Sequence, residues 1–144
     1  MIRVEPFVVE HWERLTVQPA QRACLPWMTD DIVPWLAEIE AYSAFAGDDL
    51  VAIAGLWEKW PGSAVVWSFL SEAAGPHMIP LTRAIRRFLE LRAPRRIEAY
   101  VDADFGPGRR WVELLGFTCE TPDTMRAFTP DGGAQYLYSR IRNV

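Results

Sequence analysis

The sequence predicts an α/β fold, a central sheet with helices on both of its faces. Three observations carry that expectation. The runs Leu50-Val51-Ala52-Ile53-Ala54-Gly55-Leu56 and Ala64-Val65-Val66-Trp67-Ser68-Phe69-Leu70 have no polar alternate set, so each reads as a strand covered on both sides. Leu81, Ile85, Phe88 and Leu89 recur at i, i+4, i+7 and i+8 with arginines opposite, the mark of an amphipathic helix. Gly108-Arg109-Arg110-Trp111-Val112-Glu113-Leu114-Leu115-Gly116-Phe117 reads as a short helix closed by glycine and leading straight into a strand.

In chain order, residues 2–9 read as a first strand and residues 10–15 as a short helix, followed by irregular chain around Pro19 and Pro26. Thr29-Asp30-Asp31 supplies capping oxygens and first-turn negative charge for a helix carrying Ile32, Trp35, Leu36 and Ile39. Pro34 falls near its start, where a missing N–H matters little. A hairpin follows, residues 42–46 and 50–57 about the turn Gly47-Asp48-Asp49. After Pro61-Gly62-Ser63 comes the strand at 64–70. The next helix starts at Met78 or Pro80 and runs to Arg92, where Ala93-Pro94 stops it. Residues 95–101 form a strand, residues 108–115 a short helix, and residues 117–128 a strand interrupted near Pro122. Thr129-Pro130-Asp131-Gly132-Gly133 is a turn, and residues 134–141 form the seventh strand.

Half of the 144 residues are apolar, enough for one domain over 1–144 with a single core and no disulfide or metal staple. A net charge of -4 provides no global positive field, which argues against nucleic acid or an anionic membrane as partner. Lys59 is the one lysine, and Arg83, Arg86, Arg87, Arg92, Arg95 and Arg96 form a cluster that reads either as a solvated helix face or as a phosphate-binding patch. No apolar run approaches the roughly 18 residues of a membrane span, so a cytoplasmic protein without a membrane partner is expected. Cys24 and Cys119 lack CxxC spacing and have only His11 and His77 as co-ligands, so neither a disulfide nor a metal site is expected.

The order of elements and the Leu115-Gly116-Phe117 ending resemble the Gcn5-related N-acetyltransferase (GNAT) fold. That resemblance implies a mixed, mostly antiparallel seven-stranded sheet whose fourth and fifth strands splay to admit an acyl-CoA. Trp111, Leu115-Gly116-Phe117, Met125-Arg126, Pro130-Asp131-Gly132 and Leu137-Tyr138-Ser139-Arg140 extend the likeness to phage-encoded GNAT-like proteins, including the internal virion protein A family of T7-like phages. Two functions are thereby implied. One is direct acetyl transfer from acetyl-CoA to an amine acceptor. The other is a non-catalytic assembly or virion role through contacts with phage or host proteins, in the host cytoplasm or the virion.

CoA carries a pyrophosphate, best held by free N–H groups at a helix N-terminus, and the family's loop for it is Arg/Gln-x-x-Gly-x-Gly/Ala. Here the pattern falls on Glu72-Ala73-Ala74-Gly75-Pro76-His77. Gly75 matches, Glu72 brings a carboxylate, Pro76 lacks an N–H, and His77 replaces a small residue. The resemblance thus implies Phe69, Leu70, Ser71, Gly75, Pro76, His77 and Met78 as cofactor-binding residues. At the positions of the family's catalytic Tyr and pantetheine-orienting Asn stand Val112 and Phe105, neither able to do that chemistry. A base must still take the amine proton, and Glu58, His77 and Asp102 are the candidates, with Glu72 and Asp104 also at strand ends. Tyr100, Tyr136 and Tyr138 could replace the missing acid or simply pack on the sheet. Trp27, Trp35, Trp57 and Trp60 could line an acceptor pocket or act as core and interface anchors, which leaves room for a homo-oligomer.

Overall fold

The computed structural model describes residues 1–92 and 94–142. Its elements are β1 (Arg3–Pro6), α1 (Val9–Arg14), a run of 3₁₀ turns (Pro19–Trp27), α2 (Ile32–Glu38), β2 (Glu40–Ala46), β3 (Asp49–Trp60), β4 (Ser63–Leu70), a 3₁₀ turn (Gly75–His77) that runs into α3 (Met78–Leu91), β5 (Arg96–Asp102), α4 (Gly106–Leu114), β6 (Thr118–Cys119) and β7 (Gln135–Ile141). The strands form one seven-stranded sheet in the order β1-β2-β3-β4-β5-β7-β6. Pairing is antiparallel for β1–β2, β2–β3, β5–β7 and β6–β7 and parallel for β4–β5. The mixed, mostly antiparallel sheet is the one expected.

The chain's contacts gather into two compact units, residues 1–57 with 67–85, and residues 58–66 with 86 onward. In the first, the β2–β3 hairpin turns through Gly47 at φ +61° and slips register between Ala44 and Phe45. Phe7, Leu15, Val33, Leu36, Phe45 and Ile53 make its core. On β3, Leu50, Val51, Ala52 and Ile53 are all buried, so both faces are covered. A Cβ on Gly55 would lie 2.4 Å from the Glu40 carbonyl oxygen and 2.5 Å from the Trp67 ring, which is why the strand carries glycine there. Residues 65–69 of β4 are only half-buried, unlike the covered strand expected. Its ladder with β5 spans only Ser63, Ala64 and Val65 among the described residues, and beyond them β4 has an edge.

The strand expected over residues 2–9 ends at Pro6, because Val9 already opens α1. His11 on that helix is buried, with Nδ1 2.8 Å from Ser43 Oγ and accepting the Val8 N–H at 3.4 Å. The start of α2 also differs from expectation. Thr29 Oγ1 donates to the Asp31 carboxylate, and no side chain caps the helix; the Thr29 carbonyl accepts the Ile32 and Val33 N–H groups instead.

In the second unit β5 and β7 pair along their full lengths, from Arg96 opposite Ile141 to Asp102 opposite Gln135. Ile97 and Tyr138 are buried there, as is Leu89 of α3. On α3, Leu81 and Leu89 are buried and Arg83, Arg86 and Arg87 exposed, whereas Ile85 and Phe88 are half-buried. The Arg92 guanidinium covers the Phe88 ring at 4.8 Å. Of the expected helix stop, Ala93 lies outside the described residues. α4 begins at Gly106, earlier than expected, since Pro107 suits a first helical turn. Gly116 ends the helix at φ +96°, a conformation glycine adopts freely. The strand expected over 117–128 contracts to Thr118–Cys119 with an isolated bridge from Met125 to Gln135. Pro122 has no N–H for a ladder, and Ala127 at φ +54° turns the chain out of it.

Candidate functional site

Where β4 leads toward α3, the main chain is held by its own fold. The Ser71 N–H donates to Val51 O at 2.9 Å and the Glu72 N–H to Thr16 O at 2.9 Å. The Ala73 N–H is taken by Ser71 Oγ at 3.1 Å, and the Ala74 N–H by Ser71 O at 3.0 Å. The His77 N–H donates to Ala74 O at 2.8 Å, and the Met78 N–H to Gly75 O. Pro76 and Pro80 have no N–H to offer. Across 72–80 the donors expected to face a phosphate are therefore largely spoken for, because the 3₁₀ turn continues into α3 and supplies acceptors where a helix start would leave orphans. Glu72 pairs with Arg22, Nη2 to Oε2 2.9 Å, with both side chains about half exposed at 50% and 52%.

The edge of β4 is occupied too. Gln21 Nε2 donates to Ser68 O at 2.6 Å, and Gln21 Oε1 accepts the Leu70 N–H at 2.8 Å. The Gln18 N–H donates to Leu70 O at 2.8 Å, and Gln18 Nε2 steadies Gln21 Oε1 at 2.9 Å. An amide that takes a carbonyl at one position and gives an acceptor to the N–H two residues on reproduces the bonding of a neighbouring strand. Gln18, Gln21 and Arg22 were invisible to the sequence reading, since they lie in an aperiodic stretch around Pro19 and meet partners some fifty positions away, as Gln21 and Leu70 show with a separation of 49.

The remaining candidates are divided between the units. His77 is half-buried in the first, and its imidazole makes no hydrogen bond among the described residues. In the second, Glu58 is exposed, and Asp102 accepts a hydrogen bond from Gln135 Nε2 at 2.7 Å. Val112 is buried and apolar, and Phe105 serves as a wedge: a Cβ on Gly108 would come within 2.5 Å of its ring. Tyr138 is fully buried with its hydroxyl accepting from Arg109 Nε at 3.0 Å, while the Arg109 guanidinium covers the Tyr136 ring at 4.1 Å. Trp35 and Trp57 meet edge to face at 5.9 Å, both part-exposed.

Sequence reading also missed an ionic network in the second unit. Glu98 on β5 is buried and receives Lys59 Nζ at 2.6 Å and Arg96 Nη2 at 2.8 Å, and Arg96 also reaches Glu120 at 2.6 Å. Burial alone would raise the Glu98 carboxyl, but the hydrogen bonds and charges of Lys59 and Arg96 outweigh it and hold the group below its ordinary value. Burial, reinforced by the Glu98 charge, pushes the Tyr100 phenol up. Its ring stacks on Phe128 at 5.3 Å.

No protein-family model and no curated protein matches the chain. Solved structures do. Ard1 from Thermoplasma volcanium is similar at 14% identity and TM-score 0.80, over 99% of this chain and 99% of that one. An N-acetyltransferase from Staphylococcus aureus is similar at 10% identity and TM-score 0.72, over 98% and 97%. An acetyltransferase of the GNAT family from Bacillus anthracis is similar at 11% identity and TM-score 0.70, over 97% and 94%. At such identities what is shared is the fold, and the chain has the fold of the GNAT acetyltransferases.

Proposed function

We propose that the chain is an acyl-CoA-dependent N-acetyltransferase-like protein, transferring an acetyl group directly to an amine acceptor with a degenerate cofactor loop. The observation that carries this reading is the β4 edge, which leaves its ladder at Val65 and then binds an amide, that of Gln21, in strand geometry at Ser68 and Leu70. The amide-bearing arm of an acyl-CoA fits the same carbonyl and N–H. Its pyrophosphate fits poorly, because the N–H groups of Glu72, Ala73, Ala74, His77 and Met78 are engaged. When bound, the cofactor supplies a thioester carbonyl open to attack by an amine. The chain's own part is to align the arm along β4 and to take the amine proton. His77 and Glu58 are the bases we favour, because Asp102 is already engaged by Gln135. Two of the similar structures carry the name of an N-acetyltransferase and of an acetyltransferase of the GNAT family, which supports the reading.

One set of observations favours a second reading, a non-catalytic GNAT-fold protein of the phage virion or assembly kind. The filled loop, the buried Val112 and the wedge role of Phe105 remove the usual chemistry, and the exposed Trp27 and Trp60 suit protein contacts. No helix among the described residues is long and apolar enough to cross a membrane.

Thermal melting with and without acetyl-CoA separates the two. The enzyme reading expects a rise of several degrees, since a ligand at about 100 times its dissociation constant adds roughly 2.7 kcal/mol. No shift at millimolar acetyl-CoA would leave the second reading, whose own test is co-purification with phage particles.

A further inference from the structure

The backbone of β4 tells which side Gln21 covers. The Arg96 N–H donates to Gly62 O at 3.0 Å, so even-numbered groups along β4 point to its β5 side. The Ser71 N–H donates to Val51 O, so odd-numbered groups point to β3. Alternation then places the Ser68 carbonyl and both main-chain groups of Leu70 on the side where the β5 ladder has already ended. These are the groups that Gln21 and Gln18 occupy.

We propose that Gln21 is an internal competitor: its carboxamide fills the strand-pairing position on β4 that the amide of an incoming acyl-CoA arm would take, and the cofactor binds only by displacing it. The inference rests on the function proposed above and deepens it. A side-chain amide is chemically the group that the arm carries, so the exchange conserves one donor and one acceptor bond and leaves no main-chain group unpaired in either state. The competitor is tethered to the loop as well. Arg22 follows Gln21 directly, donates to Val17 O at 3.2 Å and pairs with Glu72 at 2.9 Å. A movement that withdraws Gln21 therefore carries the Arg22 guanidinium with it and changes the charge on Glu72's surroundings at the same step.

The test is isothermal titration of acetyl-CoA into the native chain, Gln21→Ala and Gln21→Asn, with hydrogen exchange of the Leu70 amide read in each. Gln21→Asn keeps an amide too short to bridge Ser68 and Leu70, and guards against a fold lost in the alanine variant. Both variants are expected to bind about ten-fold more tightly, the size of one net hydrogen bond. The Leu70 amide should be protected in the native chain with or without ligand, and in the variants only when acetyl-CoA is present. Equal or weaker binding by the variants overturns the competitor and leaves the cofactor reading standing. Absence of binding to all three overturns both.

Discussion

Glu98 is 6% exposed and touches two cations, a position no local pattern could have announced, because Lys59 lies 39 residues away along the chain. Since its folded-state pKa lies below the unfolded value, it contributes stability above the ordinary carboxylate range, and that contribution is lost as pH falls through the folded value. Glu98→Gln is expected to lower stability by about 1–3 kcal/mol near neutral pH, with the gap to the native chain closing on acidification. Urea melts of both proteins across that range check it, and a gap that ignores pH would remove the ionic explanation. Glu72 is the opposite case. Its carboxylate could be read from the sequence as an obstacle to phosphate, but its pairing with Arg22 could not. Glu72→Gln should alter stability by no more than about 1 kcal/mol, because the pair is half exposed. It should tighten CoA binding by removing a carboxylate that repels the phosphates, and Glu72→Arg should tighten it further, by roughly 1–2 kcal/mol at low salt and less at high salt, read by titration.

Helix α3 was legible because a 3.6-residue period survives any tertiary detail: Leu81 and Leu89 are buried and the arginines face outward, as their spacing requires. The period could not say how deep each apolar residue lies. Leu81→Ala and Leu89→Ala should each cost about 2–5 kcal/mol, and Arg86→Ala under about 0.5 kcal/mol, in chemical denaturation. Half-buried Phe88 should fall between them. The hairpin strands were legible as short apolar runs on either side of the turn Gly47-Asp48-Asp49. β6 was not, since one proline and one positive φ shortened an otherwise strand-like run. Close packing has no sequence signature either: Gly55→Ala looks mild on paper, yet its Cβ would collide with the Glu40 carbonyl and Trp67, and a loss of about 1–3 kcal/mol is expected in the same denaturation series.

For the molecule as a whole, the succession of elements and the Leu115-Gly116-Phe117 ending were legible, and the resemblance to the GNAT fold that they carry implied the seven-stranded sheet that the structure has. The state of the candidate site was not readable. It depends on main-chain hydrogen bonds between the aperiodic stretch around Gln18 to Arg22 and the end of β4, and side-chain patterning carries no information about which main-chain donors are already in use. The cover that Gln18 and Gln21 place on β4 also bears on how the protein behaves in concentrated solution. An uncovered strand edge is a template for the same edge of another molecule, and chains commonly hide such edges with charges, bulges or covering loops. Here a glutamine side chain does so, and on the proposal that ligand displaces it, ligand and self-association would compete for one row of atoms. Gln21→Ala without ligand should scatter light at lower concentration than the native chain, and acetyl-CoA should clear the solution; the residue that slows binding would then also be the one that keeps the empty protein from sticking to its own copies.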